Sequence, residues 1–402
     1  MNPAATLRLL YLSNERIPGP SAASIQQVNM CAAFAHAGAK VTLVRPWYPG
    51  MGASNSAELA QFYGTPDNFC VATTPSLLSL SRPSSPGRWR IPLLGGASVW
   101  LTMSLWLYRH LRAVPAGEPL LLYGRSVNAA MIGLWLRRRF FRNRPIALAF
   151  EAHSLAQQPA AFFRSVLQRC DGVIAISHAL KADLIARLGV AADKVLVAAD
   201  GISAARLASP PLSKEEARKT VNVPRSFKKL VVYSGSSKPG KGAELFVQAA
   251  ALALPDVLFL FVGDRGEAET NQPAPANLYC TGRVDPSQVP LYQAAADVLV
   301  LPNVAQGSIH AYTSPLKLFE YMAAKRPIVA SELAVLREVL TNEDNCLLVS
   351  AANPTALVNA VQRLLQDEAL ADRLATRAYA QVRQYTWEKR AQNILNFVMD
   401  QR

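Results

Sequence analysis

The chain has 402 residues, which at about 150 residues per domain predicts two domains or three. Half of the residues are hydrophobic and only 17% are charged, a composition that excludes a disordered chain and a coiled coil. Lys and Arg outnumber Asp and Glu by 42 to 28, and the net charge of +14 suits an anionic partner (a nucleotide phosphate, an acidic membrane surface or nucleic acid), against the alternative of an inert basic surface.

Strand-like and helix-like segments alternate, the pattern of parallel sheets covered by helices. Residues 7–12 read as a first strand. Their apolar run is short, contains Arg8 and leads into Ser13-Asn14-Glu15, so it does not read as a signal peptide. Residues 24–37 show helical spacing through Ile25, Val28, Cys31, Ala32 and Ala35, with Gly38 suited to the C-terminal cap. Further strands are expected at 40–45, 120–123, 146–150, 172–177 and 195–198, with a helix over 178–188. Residues 91–108 form a run of 18 without charge. Pro92, Gly95 and Gly96 break its first part, so a continuous helix is expected only over 97–108, too short to span a membrane. A buried helix sharing a face of Trp100, Met103, Trp106 and Leu107 competes there with an interfacial one.

Residues 203–228 change character, with Ser209-Pro210-Pro211, a charged KEEARK stretch and Pro224, and place a linker and domain boundary near residue 205. The second half restarts with a strand at 229–233 and a helix over 243–252. Strands follow at 258–262, 278–281, 298–301, 328–330 and 346–349, with helices at 315–324 and 354–366. Ligands of such parallel sheets bind beyond the carboxyl ends of the strands. Cys31, Cys70, Cys170, Cys280 and Cys346 are scattered without a C-x-x-C, and read as reduced, mostly buried thiols of a cytoplasmic protein.

Two strings carry chemistry. Gly235-Ser236-Ser237-Lys238-Pro239-Gly240-Lys241-Gly242 follows a strand and opens a helix. It nearly matches the P-loop of nucleoside triphosphatases, but Gly242 stands where a hydroxyl should meet magnesium. A glycine-rich turn, a helix N-terminus and Lys241 still make a diphosphate site, against the plainer reading of an ordinary turn with a solvated lysine. The second string is Tyr312-Thr313-Ser314-Pro315-Leu316-Lys317-Leu318-Phe319-Glu320-Tyr321-Met322. Ser314 suits an N-cap and Pro315 the first helical position. Lys317 in the first turn opposes the helix dipole, which a bound anion would explain, and Glu320 three residues on can accept ribose hydroxyls. A surface Lys–Glu pair is the competing reading. His153 beside Glu151 at a strand end lacks the further ligands of a metal site.

With Tyr11-Leu12-Ser13-Asn14-Glu15-Arg16-Ile17-Pro18 and Gln26, Phe150-Glu151-Ala152-His153, Ser177-His178-Ala179-Leu180 and Asp200-Gly201-Ile202, these strings resemble family 4 of the GT-B glycosyltransferases. The resemblance runs over most of the chain, with residues 50–120 contributing nothing. It implies an α/β GT-B fold of two Rossmann-like domains facing across a cleft: an acceptor-binding domain over 1–205, a nucleotide-sugar-binding domain over 206–385, and a C-terminal helix over 386–402 that can pack back on the first. It also implies retaining transfer from a nucleotide-sugar donor to a glycan or lipid-linked acceptor in polysaccharide biosynthesis, with no metal or other cofactor. Lys241 maps to the family's diphosphate lysine and Glu320 to its ribose-binding glutamate. The turn from Thr313 through Ser314, Pro315 and Leu316 maps to its phosphate-binding amides, and His153 to a histidine at the lip of the N-terminal domain.

Two positions depart from the pattern. Tyr312 stands where the first glutamate of the family's E-x7-E motif is expected, and Ser236 where its arginine is. Members carrying S-P-x-K-x-x-E-Y-M exist, and Lys317 with Lys238 can replace the lost charge, while His310 can reach the sugar. The competing functions are a catalytically weak sugar-nucleotide-binding partner subunit and a P-loop-type NTPase. No nucleic-acid motif accompanies the basic run Arg137-Arg138-Arg139-Phe140-Phe141-Arg142-Asn143-Arg144. With Trp89, Trp100 and Trp106 nearby, it favours an anionic membrane surface on the inner face of the plasma membrane, or plain solvation.

Overall fold

The computed structural model describes residues 6–48, 51, 55–76, 92–155, 160–221, 223–224, 227–264, 274–305 and 311–401; Trp89 and His310 lie outside them. The chain divides into two units, one comprising Met1–Ala198 and Trp387–Arg402, the other Ala199–Thr386.

The first unit is built in chain order from β1 (Arg8–Leu12), α1 (Ala22–His36), β2 (Lys40–Pro46), α2 (Ser56–Tyr63), β3 (Cys70–Thr74) and α3 (Pro92–Ala113). It continues through β4 (Leu120–Gly124), α4 (Val127–Phe140), β5 (Ile146–Ala152), α5 (Ala160–Arg169), β6 (Gly172–Ala175), α6 (His178–Leu188) and β7 (Val195–Val197). A last helix, α14 (Trp387–Asp400), returns from the far end of the sequence and packs on α1, β5 and β6. The seven strands run β3-β2-β1-β4-β5-β6-β7. Every pairing is parallel. Central strands covered on both faces read as unbroken apolar runs rather than alternation, as in the fully buried Leu120-Leu121-Leu122-Tyr123 of β4. The helices begin where a hydroxyl takes up a free amide: Ser21 accepts from Ser24 N, Ser126 from Ala129 N and Ser177 from Leu180 N.

The second unit holds α7 (Ala204–Ala208), α8 (Lys214–Thr220), β8 (Lys229–Ser234), α9 (Ala243–Leu252), β9 (Val257–Val262), β10 (Leu278–Cys280) and α10 (Val289–Ala295). Then come β11 (Val298–Leu301), α11 (Leu316–Ala323), β12 (Ile328–Ser331), β13 (Leu347–Val349), α12 (Pro354–Gln366) and α13 (Glu368–Val382). Its six parallel strands run β10-β9-β8-β11-β12-β13. Side chains of β8 and β9 alternate between two cores. Leu230, Val232, Leu258 and Leu260 face one, and Val231, Tyr233, Phe259 and Phe261 face the other. Asp297 ties the amino-terminal edge together: its carboxylate accepts from Lys214 at 2.9 Å, from Arg218 and from the Leu230 amide.

Both sheets reverse their strand order next to the first strand, at β1/β4 and at β8/β11. Such switch points leave a crevice at the carboxyl ends, where loops diverge to opposite faces.

The stretch with the least legible sequence departs from expectation. α3 starts at Pro92, passes through Gly95 and Gly96, and ends at Ala113. Proline is tolerated in the first turn and each glycine costs only about 1 kcal/mol, which packing offsets. The packing stripe is Val99, Met103, Leu107 and Leu111, all buried at four-residue spacing. The two tryptophans are not in it: Trp100 leans on Trp135 at 5.1 Å and Trp106 stacks on His110 at 4.7 Å, both half-buried. Leu101 and Leu105 face solvent, 64% and 47% exposed. Among the described residues no helix is long and apolar enough to cross a membrane. Cys31, Cys170 and Cys346 are buried free thiols, and Cys70 is exposed.

Candidate active site

The second unit gathers cations at its switch point. Behind β8 the chain turns through Gly235 to Gly242 into α9. The turn is held by Lys241 N donating to Lys238 O at 3.1 Å and by Val304 N donating to Gly240 O at 3.2 Å, which fastens it to the segment after β11. Tyr233 donates its hydroxyl to Ser236 O at 2.9 Å, so Ser236 contributes its carbonyl to the shape of the turn. Gly242 has φ of 77°, and a Cβ there would lie 1.7 Å from the Pro302 carbonyl oxygen. Only glycine fits. The missing hydroxyl of the P-loop pattern is therefore a steric requirement of this turn.

Lys317 reaches into the same place from α11. Its Nζ lies 4.1 Å from the Tyr233 ring centroid and is buried, with no hydrogen-bond acceptor among the described residues. Burial, then the charge of Lys241, lowers its pKa to about 7, with Glu320 pulling the other way. Lys241 is lowered by burial and by Lys238. Lys241 and Lys317 thus meet near the start of α9, with Lys238 disfavouring the charge of Lys241 and Lys241 that of Lys317.

The start of α11 differs from expectation. The helix begins at Leu316, and Pro315, with ψ of 121°, occupies the cap position without a side-chain bond. The Ser314 hydroxyl does not cap; it accepts from Asp200 N at 3.0 Å and so fastens the approach to α11 to the segment before α7. With its hydroxyl taken by the Asp200 amide, Ser314 is not available to cap, and the helix starts one residue later than its sequence suggests. Tyr312 and Pro315 are buried; Thr313, Ser314 and Leu316 are half-buried. Glu320 accepts from Gln293 Nε2 at 3.0 Å, and the same amide nitrogen also donates to Ser234 Oγ at 3.2 Å. Arg206 reaches Gln293 Oε1 at 3.4 Å, and Tyr321 accepts from Ser234 N at 2.8 Å. Lys241, Lys317 and Glu320 are thus brought together with Tyr233, Gln293 and Arg206, which the sequence did not single out. The one available signal was a Glu-Tyr pair on a helix whose neighbours Leu318, Phe319 and Met322 are all core.

His153 belongs to the first unit, just past the end of β5. Its Nε2 lies 2.7 Å from Glu151 Oε1, and its side chain is 21% exposed. Glu151 is fully buried and collects five contacts. Gln26 Nε2 donates to Oε1 at 2.6 Å and Arg390 Nη2 at 3.0 Å, while Tyr123 and Arg390 Nη1 donate to Oε2. Burial alone would raise the Glu151 carboxyl, but Arg390 and the His153 hydrogen bond hold it well below the usual carboxylate range. Burial, followed by the charge of Arg125, lowers His153 to about 4, so the imidazole is neutral at pH 7. Tyr123, Arg125 and Arg390 also went unmarked in the sequence, although buried Ser24, Gln26 and Gln27 on one apolar helix are a signal of a polar site. Among the described residues no group of three or more His, Cys, Asp or Glu could hold a metal ion.

Two family models match in tandem: Glycosyltransferase Family 4 over residues 24–206 and Glycosyl transferases group 1 over residues 228–367. The chain belongs to the group 1, family 4 glycosyltransferases. A curated relative of this glycosyltransferase, phosphatidyl-myo-inositol mannosyltransferase of Mycobacterium leprae, is 26% identical over 284 residues, 68% of this chain and 71% of the relative. The putative teichuronic acid biosynthesis glycosyltransferase TuaH of Bacillus subtilis is 27% identical over 42% of each chain. Among solved structures, sucrose-phosphate synthase from Thermosynechococcus elongatus superposes with a TM-score of 0.74 at 19% identity over 98% of both chains. Anabaena HepE in complex with UDP-glucose superposes at 0.70 with 18% identity, over 98% of this chain and 99% of that one. The fold is GT-B, two Rossmann-like sheets with their helices.

In this glycosyltransferase the Gly242 geometry yields a direct test. Gly242→Ser restores the P-loop pattern on paper, yet the left-handed backbone and the Pro302 contact oppose any side chain. The substitution is expected to lower unfolding free energy by about 2 kcal/mol or more and to create no magnesium-dependent ATP hydrolysis. Urea denaturation and a phosphate-release assay check both; a stable variant that hydrolyses ATP would contradict the steric account.

Proposed function

We propose that the second unit binds a nucleotide-sugar donor and that the enzyme transfers the sugar, with retention of configuration and without a metal, to a glycan or lipid-linked acceptor held by the first unit. The observation that carries this reading is the buried Lys317 ammonium, left without an acceptor beside Lys241 at the start of α11. A diphosphate satisfies it. The glycosyl bond of the donor breaks as negative charge grows on the departing diphosphate, and lysines already in place stabilise that charge without a metal. The Thr313 to Leu316 turn and the free amides of α11 receive the phosphates. Glu320, oriented by Gln293, accepts the ribose hydroxyls. Ser236 lends its backbone rather than a charge, Tyr312 lines the sugar end, and His153 serves the reaction. UDP-glucose in the HepE complex supports a donor of this class.

Loss of Lys241 is expected to act on turnover. Lys241→Ala should lower kcat about 10- to 150-fold, the equivalent of one charged hydrogen bond of about 1.5–3 kcal/mol, while Glu320→Gln should mainly raise the donor KM. Initial rates with a panel of nucleotide sugars check this, and the anomeric proton coupling of the product checks retention. Activity within about twofold of the parent in both variants would show that the donor lies elsewhere.

Lys317 makes donor binding depend on pH. Its pKa is about 7 in the free enzyme, and a bound diphosphate raises it. The contribution of the ammonium to binding is therefore complete below pH 7 and is lost as pH rises through the higher value of the complex. Binding at pH 8 takes up a proton. Calorimetry in two buffers of different ionisation enthalpy should show this uptake, and Lys317→Met should abolish it; equal uptake in the variant would assign the proton to another group.

For the acceptor, we place the first unit against an anionic membrane surface through α3 and α4, at the cytoplasmic face. Arg138, Arg139 and Arg142 are exposed, and none forms an ion pair among the described residues. Trp135 and Phe140 on α4 and Leu101 and Leu105 on α3 are exposed as well, with the Arg139 guanidinium over the Phe140 ring. Arg137 and Arg144 are otherwise engaged, Arg137 with Asp171 and Arg144 with the carbonyls of Leu111, Val114 and Pro115. Each arginine without an ion pair is worth about 1 kcal/mol near anionic lipid. Flotation with vesicles of rising anionic content should recover the enzyme, and high salt or Arg138→Gln with Arg139→Gln should release it. Equal recovery on neutral vesicles would remove the membrane from the account.

A further inference from the structure

We propose that Arg390, on the C-terminal helix α14, is a positioning residue for His153: acting through the buried Glu151 carboxylate, it fixes the imidazole in the tautomer that carries its proton on Nε2 and presents a bare Nδ1. The assignment rests on the reading of His153 as a site residue and deepens it. Glu151 has no exposed surface, and every direction around it is occupied by a donor: Gln26 from α1, Tyr123 from β4, His153 from its own strand end and both terminal nitrogens of Arg390 from α14.

An ionised carboxylate only accepts, so the imidazole nitrogen 2.7 Å from it must donate. The other nitrogen is then an acceptor, suited to a sugar or acceptor hydroxyl and unsuited to a phosphate oxygen. Everything depends on the carboxylate staying ionised. Arg390 is the cation in direct contact with it; the next is Arg125, one residue removed, which donates to Gln26 Oε1 at 3.1 Å. The groups facing His153 are thus Glu151, Arg390 and Arg125, and with Arg390 in place the ring stays neutral down to about pH 4.

Without the guanidinium, the buried carboxyl takes a proton from solvent and becomes a donor itself. Its O–H then turns toward Nε2, the ring proton moves to Nδ1, and the site offers a donor where the substrate hydroxyl needs an acceptor. α14 is held at this post by a second bond: Arg390 Nε donates to Ala198 O at 3.2 Å, at the residue where the chain leaves the first unit. The return of the chain for its last helix thereby supplies a charge that no residue near His153 in the sequence provides.

Long-range proton–nitrogen correlation spectra of the full-length enzyme with labelled histidine test this without any substrate. The native protein is expected to show His153 as the Nε2–H tautomer from pH 6 to pH 8, about the ordinary histidine range. Arg390→Lys should keep it, and Arg390→Met should lose it. Should Arg390→Met fail to fold, Glu151→Gln with Arg390→Met removes both charges and leaves none buried alone. That pair should also release the tautomer. In each variant that loses the tautomer, kcat should fall about tenfold or more, with the donor Kd little changed, as for outer partners of other functional histidines. A folded Arg390→Met or double variant that keeps the Nε2–H signal overturns the proposal. A lost tautomer with unchanged kcat would leave the positioning role standing and instead remove His153 from the reaction.

Discussion

A lysine ammonium folded into the protein beside a second lysine, Lys241, is the constraint on which the second unit turns. Nothing among the described residues gives Lys317 Nζ a hydrogen-bond acceptor, and its contact with the Tyr233 ring is too weak to replace the water it has lost. The rest of the unit holds that arrangement in place. Tyr233 is the penultimate residue of β8 and packs on Phe246 and Phe261, so its ring cannot move aside. The glycine turn is clamped against the segment after β11, and the approach to α11 is fastened by Ser314 to Asp200. A site built this way is poor for the empty protein and good for an anion, because the cost of bringing the cations together has been met by the fold before the ligand arrives.

The first unit solves the opposite problem. It buries an anion, and there the partners are complete: Glu151 is surrounded by donors and charge-paired with Arg390. Completeness gives rigidity, since a satisfied buried network admits one arrangement of its members. The two clusters stand at equivalent topological places, each at the carboxyl ends of a parallel sheet near its switch point. Fold and site geometry follow from one rule applied twice, with opposite charge.

The sheets were legible because parallel strands leave long apolar runs, and α1 because its apolar residues recur at helical spacing ahead of Gly38. The stretch from α2 to α3 was less so. β3 is an edge strand with only Thr74 buried, so its pattern is weak, and α3 carries proline and glycines that local propensity counts against a helix. Packing of Met103, Leu107 and Leu111 outweighs that propensity. Lys241, Lys317 and Glu320 could be picked out because they sit on motifs. Ser314 was misread as a cap because its hydroxyl finds a partner 114 residues away in sequence. Arg390 was invisible for the same reason at 239 residues, since no local pattern distinguishes a basic residue that folds back on a distant carboxylate from one that faces water.

The most direct measurement of the central claim is a crystal structure of the enzyme with an intact nucleotide sugar or the corresponding nucleoside diphosphate. The account predicts diphosphate oxygens within hydrogen-bond distance, about 2.7–3.2 Å, of Lys241 Nζ, Lys317 Nζ and the first free amides of α11, with Glu320 on the ribose. A diphosphate bound elsewhere, with Lys317 Nζ still lying on the Tyr233 ring and touching no phosphate oxygen, would contradict it.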